Sequence, residues 1–399
     1  MTTRTDSQVD TPQELRRATR PGVSRPSRRR IWLRRAVVVI LVPLLWLSWS
    51  IGSVLAAPGT DTTAARLAEW ARFNGLGWVV SEAEQVQYQL NPPKVGGSLA
   101  GGIPVVSAPP VAPGPSVRTS PAVPHLAVLA SIPPQAQPGL PNEGVWQTLT
   151  SVHGQPAIRA AFLRPDAQHT SYMVGVAWLN QKLVKMVLHP GYTVPGGSGW
   201  SQAFDVPSSQ RNSLLATFNS GFTMQDANGG FWMDGKTAVP LRQGAASMVL
   251  YKDGHVDVVR WTAATPGPDV AAVRQNLGLL VENGVISADV NSKTTRTWGK
   301  TVGDATFVWR SALGVRKDGS LVFVVGASMS VPSLAKIVHD AGAVTAMELD
   351  INKSWTNFIT YTHPSSGGAV PHMLTKDEHP NPYRYLQLSS RDFVAVFPR

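Results

Sequence analysis

Two carboxylates, Glu348 and Asp350, stand two residues apart in the run Ala346-Met347-Glu348-Leu349-Asp350-Ile351-Asn352. In a strand, side chains at i and i+2 face the same side, so this spacing predicts both carboxylates on one face and Met347 and Leu349 on the other. Two carboxylates on one face are costly unless they are paired or functional. Such a pair is also what acid/base cleavage of a glycosidic bond commonly uses. The alternative is a structural network in which they bridge to Arg310 or a lysine. Arg310 lies between Trp309 and an apolar run. Its planar guanidinium suits a phosphate or carboxylate of a ligand, and equally suits Asp350 as a structural partner.

Asn219 follows the apolar run 214–218 and precedes Gly221. An amide there either holds a substrate hydroxyl or locks a tight turn. Asn352 and Asp304 complete the set expected to touch substrate, although Asp304, directly after Gly303, also reads as a turn residue. Asp226, Asn228, Gly229 and Gly230 form a loop whose oxygens suit calcium, but without EF-hand spacing. No metal ligand is therefore assigned and no cofactor is expected, a divalent cation such as calcium being left open. The nine histidines are scattered without metal-ligand spacing, and neither a Gly-x-Ser-x-Gly elbow nor a phosphate-binding P-loop occurs. The absence of cysteine rules out disulfides, thiolate metal sites and cysteine nucleophiles.

These residues need strands to carry them. The second half of the chain alternates apolar runs with turn signals: Lys252-Asp253-Gly254, Glu282-Asn283-Gly284 and Lys317-Asp318-Gly319 each predict a hairpin. One helix is expected at 330–341, with Pro332 in its first turn, Leu334, Ile337 and Val338 on its apolar face and Gly342 at its stop. The fold class is α+β, a strand-rich mixed-sheet domain with few helices.

The formal charge of +11 is lopsided. Residues 1–35 hold ten arginines against Asp6, Asp10 and Glu14, a net +7, which leaves only +4 beyond them. The basic pI therefore does not imply nucleic-acid binding. Residues 36–57 carry no charge and, at about 1.5 Å per residue, span the ~30 Å hydrocarbon core. The arginines before them place the N-terminus inside and the rest outside. A cleaved signal peptide or a twin-arginine export signal are the alternatives, and both also put the body outside the cytoplasm. The expected organisation is a disordered basic cytoplasmic arm (1–35), a transmembrane signal anchor (36–57), a juxtamembrane helical segment (58–95), a Pro/Gly-rich linker (96–143) and a folded domain (144–399). In the helical segment a first helix begins at Asp61 or Thr62, and a second follows Ser81.

Three landmarks in order resemble one family, the phosphodiester glycosidases related to the uncovering enzyme. They are Asn219-Ser220-Gly221-Phe222 after a buried strand, Arg310-Ser311-Ala312-Leu313-Gly314 before a strand, turn and strand, and Leu349-Asp350 after a helix and Gly342-Ala343. The resemblance covers 214–352, and more loosely 144–399. It implies hydrolysis of a sugar-phosphate diester and carries over Asn219, Arg310 and Asp350. Together with the reading of the residues, Asp350, Glu348 and Arg310 are expected in catalysis and Asn219, Gly221, Asn352 and Asp304 on the substrate. An envelope glycan is the substrate that the outward placement suggests. The sequence departs from the family where Leu-Asp is usually followed by Gly-Gly-Gly-Ser-Ser: here Ile351-Asn352-Lys353-Ser354-Trp355 stands. Glycines let backbone amides approach a ligand closely, and Ile351 and Lys353 do not. That keeps a second reading open, a non-catalytic envelope protein binding a glycan or phosphate, and a third, a structural domain with an Arg310–Asp350 core pair.

Overall fold

The computed structural model describes residues 28–106, 129–292, 297–299, 306–378 and 381–399. Asp304, most of the basic arm and the middle of the proline-rich stretch lie outside the described residues. The chain divides into two units, residues 1–53 and 54–399. In the first, helix α1 (Arg28–Leu55) contains a 19-residue segment, Val37–Leu55, long and apolar enough to cross a membrane.

The second unit begins with a helical pair, α2 (Thr63–Phe73) and α3 (Gly77–Leu90). Thr62 caps α2, accepting from the Ala65 amide at 3.2 Å, whereas Asp61 turns away to Ser390 and Arg384. Helix α3 starts at Gly77, four residues earlier than the acidic residues after Ser81 suggest. The Val79 amide already donates to the Leu76 carbonyl at 3.0 Å, so the first turn forms without a side-chain cap. Arg72 of α2 and Glu84 of α3 join at 2.7 Å.

Eighteen strands follow among the described residues. They are β1 (Gln147–Val152), β2 (Gln155–Leu163), β3 (Val174–Leu179), β4 (Val184–His189), β5 (Ala216–Asn219), β6 (Phe231–Met233), β7 (Lys236–Val239), β8 (Ala246–Tyr251) and β9 (Val256–Arg260). Then come β10 (Val270–Gln275), β11 (Leu279–Glu282), β12 (Val285–Ile286), β13 (Val308–Arg316), β14 (Leu321–Met329), β15 (Ala343–Glu348), β16 (Phe358–Thr362), β17 (Val370–Met373) and β18 (Phe393–Pro398). They form an eight-stranded sheet, β1-β2-β3-β14-β13-β15-β11-β12, and two five-stranded sheets, β7-β6-β10-β8-β9 and β17-β16-β5-β18-β4. Every pair of these strands is antiparallel. Short turns explain much of this: the three Gly-containing turns read in the sequence join β8 to β9, β11 to β12 and β13 to β14, with positive φ at Gly254, Gly284 and Gly319.

Strand β14 is buried on both faces. Leu321, Phe323 and Val325 point into the core between the sheets, and Val322 and Val324 meet helix α4 (Val331–Asp340). Leu334, Ile337 and Val338 are that helix's buried face, and Ser330 caps it by accepting from the Ser333 amide at 3.1 Å. Phe323 of the large sheet meets Phe218 and Phe358 of a smaller one, with ring centroids 5.1 and 5.3 Å away. This aromatic cluster ties β14 of the large sheet to β5 and β16 of the smaller one.

A candidate active site at the end of the central strands

The floor is built by β13, β15 and β5. Arg310 and Glu348 pair across it, Nη1 to Oε1 at 2.6 Å, both almost wholly removed from solvent. The Arg310 Nε also donates to the Met329 carbonyl at 2.9 Å. Strand β15 ends at Glu348, so the straight-strand spacing stops there. Glu348 turns to Arg310 beneath the site, and Asp350 faces the cavity above. Burial pushes the Glu348 carboxyl up to about 7 against the opposing pull of Arg310, and among the described residues its Oε2 has no hydrogen-bond partner.

Asn219, at the end of β5, is a clasp within the floor. Its Nδ2 donates to Ser311 Oγ at 3.0 Å and its Oδ1 accepts from the Asn357 amide at 3.2 Å. Gly221 lies over the buried guanidinium of Arg274, whose Nε pairs with Asp392 Oδ2 at 2.7 Å. A Cβ at Gly221 would stand 2.8 Å from the Arg274 Cζ. Gly221→Ala is therefore expected to cost about 1–3 kcal/mol by overpacking. Thermal unfolding checks this, and an unchanged melting temperature would mean that Arg274 moves aside freely.

Above the floor lies a cavity of about 570 Å³, a size that suits a small ligand. Asp350 and Asn352 line it, together with Phe222, Trp309 and Trp355. Asp350 Oδ1 accepts from the amides of Ile351 at 2.7 Å and Asn352 at 2.9 Å. Burial pushes its carboxyl up to about 6, opposed by Arg391 and these amides and assisted by Glu69. The loop 351–355 is a hydrogen-bonded turn rather than an open cradle. Asn352 Oδ1 accepts from the Ser354 amide at 2.8 Å, and its carbonyl accepts from the Trp355 and Thr356 amides at 2.9 and 3.0 Å.

The sequence reading expected the helical pair and singled out the loop holding Trp355, but placed neither the pair nor Arg391 at the site. The Arg391 guanidinium stacks over the Trp355 ring at 4.4 Å, and Arg384 lies over the same ring at 5.0 Å. Arg391 also lines the cavity, and among the described residues its buried Nη1 has no hydrogen-bond partner. Helices α2 and α3 close one wall with Arg72, Ser81, Glu84 and Tyr88. A lone arginine in Ser389-Ser390-Arg391-Asp392 carries no spacing signal. The only hint is a bulky Trp355 where the resembled family has a small residue.

Asp350 and Asn352 thus reach the cavity, whereas Arg310, Glu348, Asn219 and Gly221 lie beneath it. Asp226 lines the cavity and accepts from Thr223 Oγ1 at 2.7 Å, while Asn228 bonds to Arg242. Among the described residues no three His, Asp or Glu side chains group as metal ligands.

Residues 212–374 match the phosphodiester glycosidase family. The match contains the floor and Asp350 but neither Arg391 nor the helical pair. Similar solved structures include the zebrafish N-acetylglucosamine-1-phosphodiester alpha-N-acetylglucosaminidase catalytic domain, auto-inhibited by its pro-peptide. It shares 16% identity at a TM-score of 0.40, over 64% of this chain and 88% of that one. A hypothetical protein from Synechocystis shares 13% identity at a TM-score of 0.35, over 63% and 64% of the two chains. A protein from Burkholderia pseudomallei shares 12% identity at a TM-score of 0.28, over 57% and 74% of the two chains. No curated protein matches.

Proposed function

We propose that this protein hydrolyses a sugar-1-phosphodiester at its anomeric carbon, in an envelope glycan outside the membrane that residues 36–57 cross. One observation carries the reading: a carboxylate, Asp350, and an arginine with an unpartnered nitrogen, Arg391, line the same cavity. The departing group would be a phosphate monoester, whose second pKa is near 6, so it leaves without needing a proton from the enzyme. One carboxylate in the cavity is then enough. Asp350 takes a proton from water, the water oxygen bonds to the anomeric carbon, and the carbon–oxygen bond to phosphate breaks with its electron pair going to phosphate. Arg391 neutralises the phosphate charge as it grows. Trp309 offers a face for the sugar ring, and Asn352 a polar contact beside it. Arg310, Glu348, Asn219 and Gly221 hold the floor on which Asp350 stands.

The test is sugar release from a panel of sugar-1-phosphodiesters by the full chain in detergent, with and without a divalent cation, beside the Asp350→Asn variant. Release that the variant loses supports the reading. A folded chain that binds these compounds without releasing sugar would instead support a binding protein, which the altered loop after Asp350 favours. A base with a carboxyl near 6 also predicts the pH profile. Asp350 is protonated and idle below that value, so kcat/KM should rise as pH climbs through about 6. A profile that falls there would assign Asp350 the acid role.

A further inference from the structure

Arg391 is held from the side of the helical pair, outside the segment that matches the family. Its Nε donates to Glu69 Oε1 at 2.8 Å and its Nη2 lies 2.7 Å from the same oxygen. Glu69 is the one buried residue of α2. Burying a carboxylate on a helix that is otherwise only partly buried is costly unless it gains a partner, and here the partner lines the cavity. The hairpin is fastened beside it a second time, independently of Arg391. Asp61 bonds to Ser390 Oγ and lies 3.4 Å from Arg384 Nη2.

We infer that Glu69 is the positioning residue that keeps the Arg391 guanidinium off Asp350 and leaves its buried Nη1 unpartnered for the phosphate of a substrate. This rests on the reading of Arg391 given above. The geometry supports it in three ways. Glu69 occupies Nε and Nη2, so the nitrogen left over is the unpartnered one. Trp355 supports the guanidinium plane from one face, so the group is held in orientation as well as in place. Asp350 and Asp392 are the other carboxylates that act on Arg391, and Asp392 is already paired with Arg274. Without Glu69, a buried arginine gains most by closing on Asp350, which would quench the base and the anion site together. The membrane-proximal hairpin is on this account a component of the site.

Binding of inorganic phosphate to the full chain in detergent tests this by calorimetry, with the melting temperature measured on every variant. Wild type should bind phosphate saturably, and Arg391→Lys, which cannot keep both the Glu69 contacts and the free nitrogen, should weaken binding at least tenfold. Glu69→Gln should weaken it about tenfold. Asp61→Asn, which loosens the same hairpin without touching Arg391, should lower the melting temperature and leave the affinity within about twofold. No binding by wild type, or none lost in Arg391→Lys, overturns the reading of Arg391 and this inference with it. Weakening in Arg391→Lys but not in Glu69→Gln overturns the inference alone. So does tighter binding in Glu69→Gln, which would make Glu69 a competitor of the anion. Equal weakening in Asp61→Asn would assign the effect to hairpin docking and overturn Glu69 as the positioning residue.

Discussion

Replacing Asp350 by asparagine should reduce sugar release by about 10²–10⁴-fold while the protein stays folded. The amide oxygen of asparagine can still accept from the Ile351 and Asn352 amides, so the turn after Asp350 keeps its anchor. Asparagine also removes a carboxylate whose charged form is disfavoured by burial, so no stability loss is expected from desolvation. What disappears is the group able to take a proton from water. Initial rates on a sugar-1-phosphodiester, read beside the melting temperature, decide the matter. Turnover at the wild-type rate in a folded variant would remove Asp350 from the chemistry.

Arg310→Ala should cost about 3–5 kcal/mol of stability, because it strands Glu348 as an unpaired buried carboxylate. The size of the loss should depend on pH. Glu348 stands near 7 in the folded protein, above the ~4.3 of an unfolded chain. Its contribution is therefore fully present below about pH 4 and is lost as pH rises through about 7. Removing Arg310 takes away the influence that holds the carboxyl down, so the deficit should be largest at pH 8 and smallest at pH 5. Denaturant unfolding at the two pH values measures it. The double replacement Arg310→Met with Glu348→Leu should recover most of the lost stability. If Arg310→Ala unfolds no more easily than wild type at pH 8 yet loses activity, Arg310 contacts substrate.

The fold was legible where local chemistry decides it. Asp-Gly and Asn-Gly turns announce three hairpins, and Ser330, Pro332 and Gly342 bracket helix α4. The family motifs placed Asp350 at the site. A bridge from these carboxylates to Arg310 was legible as the structural alternative, but the parting of Glu348 from Asp350 was not, because the i, i+2 rule assumes a strand that continues, and β15 ends at Glu348. Arg391 was not legible for a different reason. Its role comes from Glu69 and Trp355, which are distant in the sequence and meet it only when the sheets and the hairpin have packed. The substitution of Trp355 for a small residue reads as the loss of a cradle, yet in the structure that ring is a platform for two guanidinium groups.

Strand β18 lies between β4 and β5, pairing Phe393 with His189 on one side and with Asn219 on the other. It carries Asp392 and Arg391 directly before it. Until residues 391–398 have been synthesised, β4 and β5 each present a bare edge and Arg274 has no counter-charge. This five-stranded sheet, the buried Arg274–Asp392 pair and the anion site are therefore completed in one event of very high sequence separation, which slows folding. A ribosome that stops a few codons short of β18 would release a chain with two sticky edges and no site, so aggregation rather than partial activity is the expected fate of such truncations.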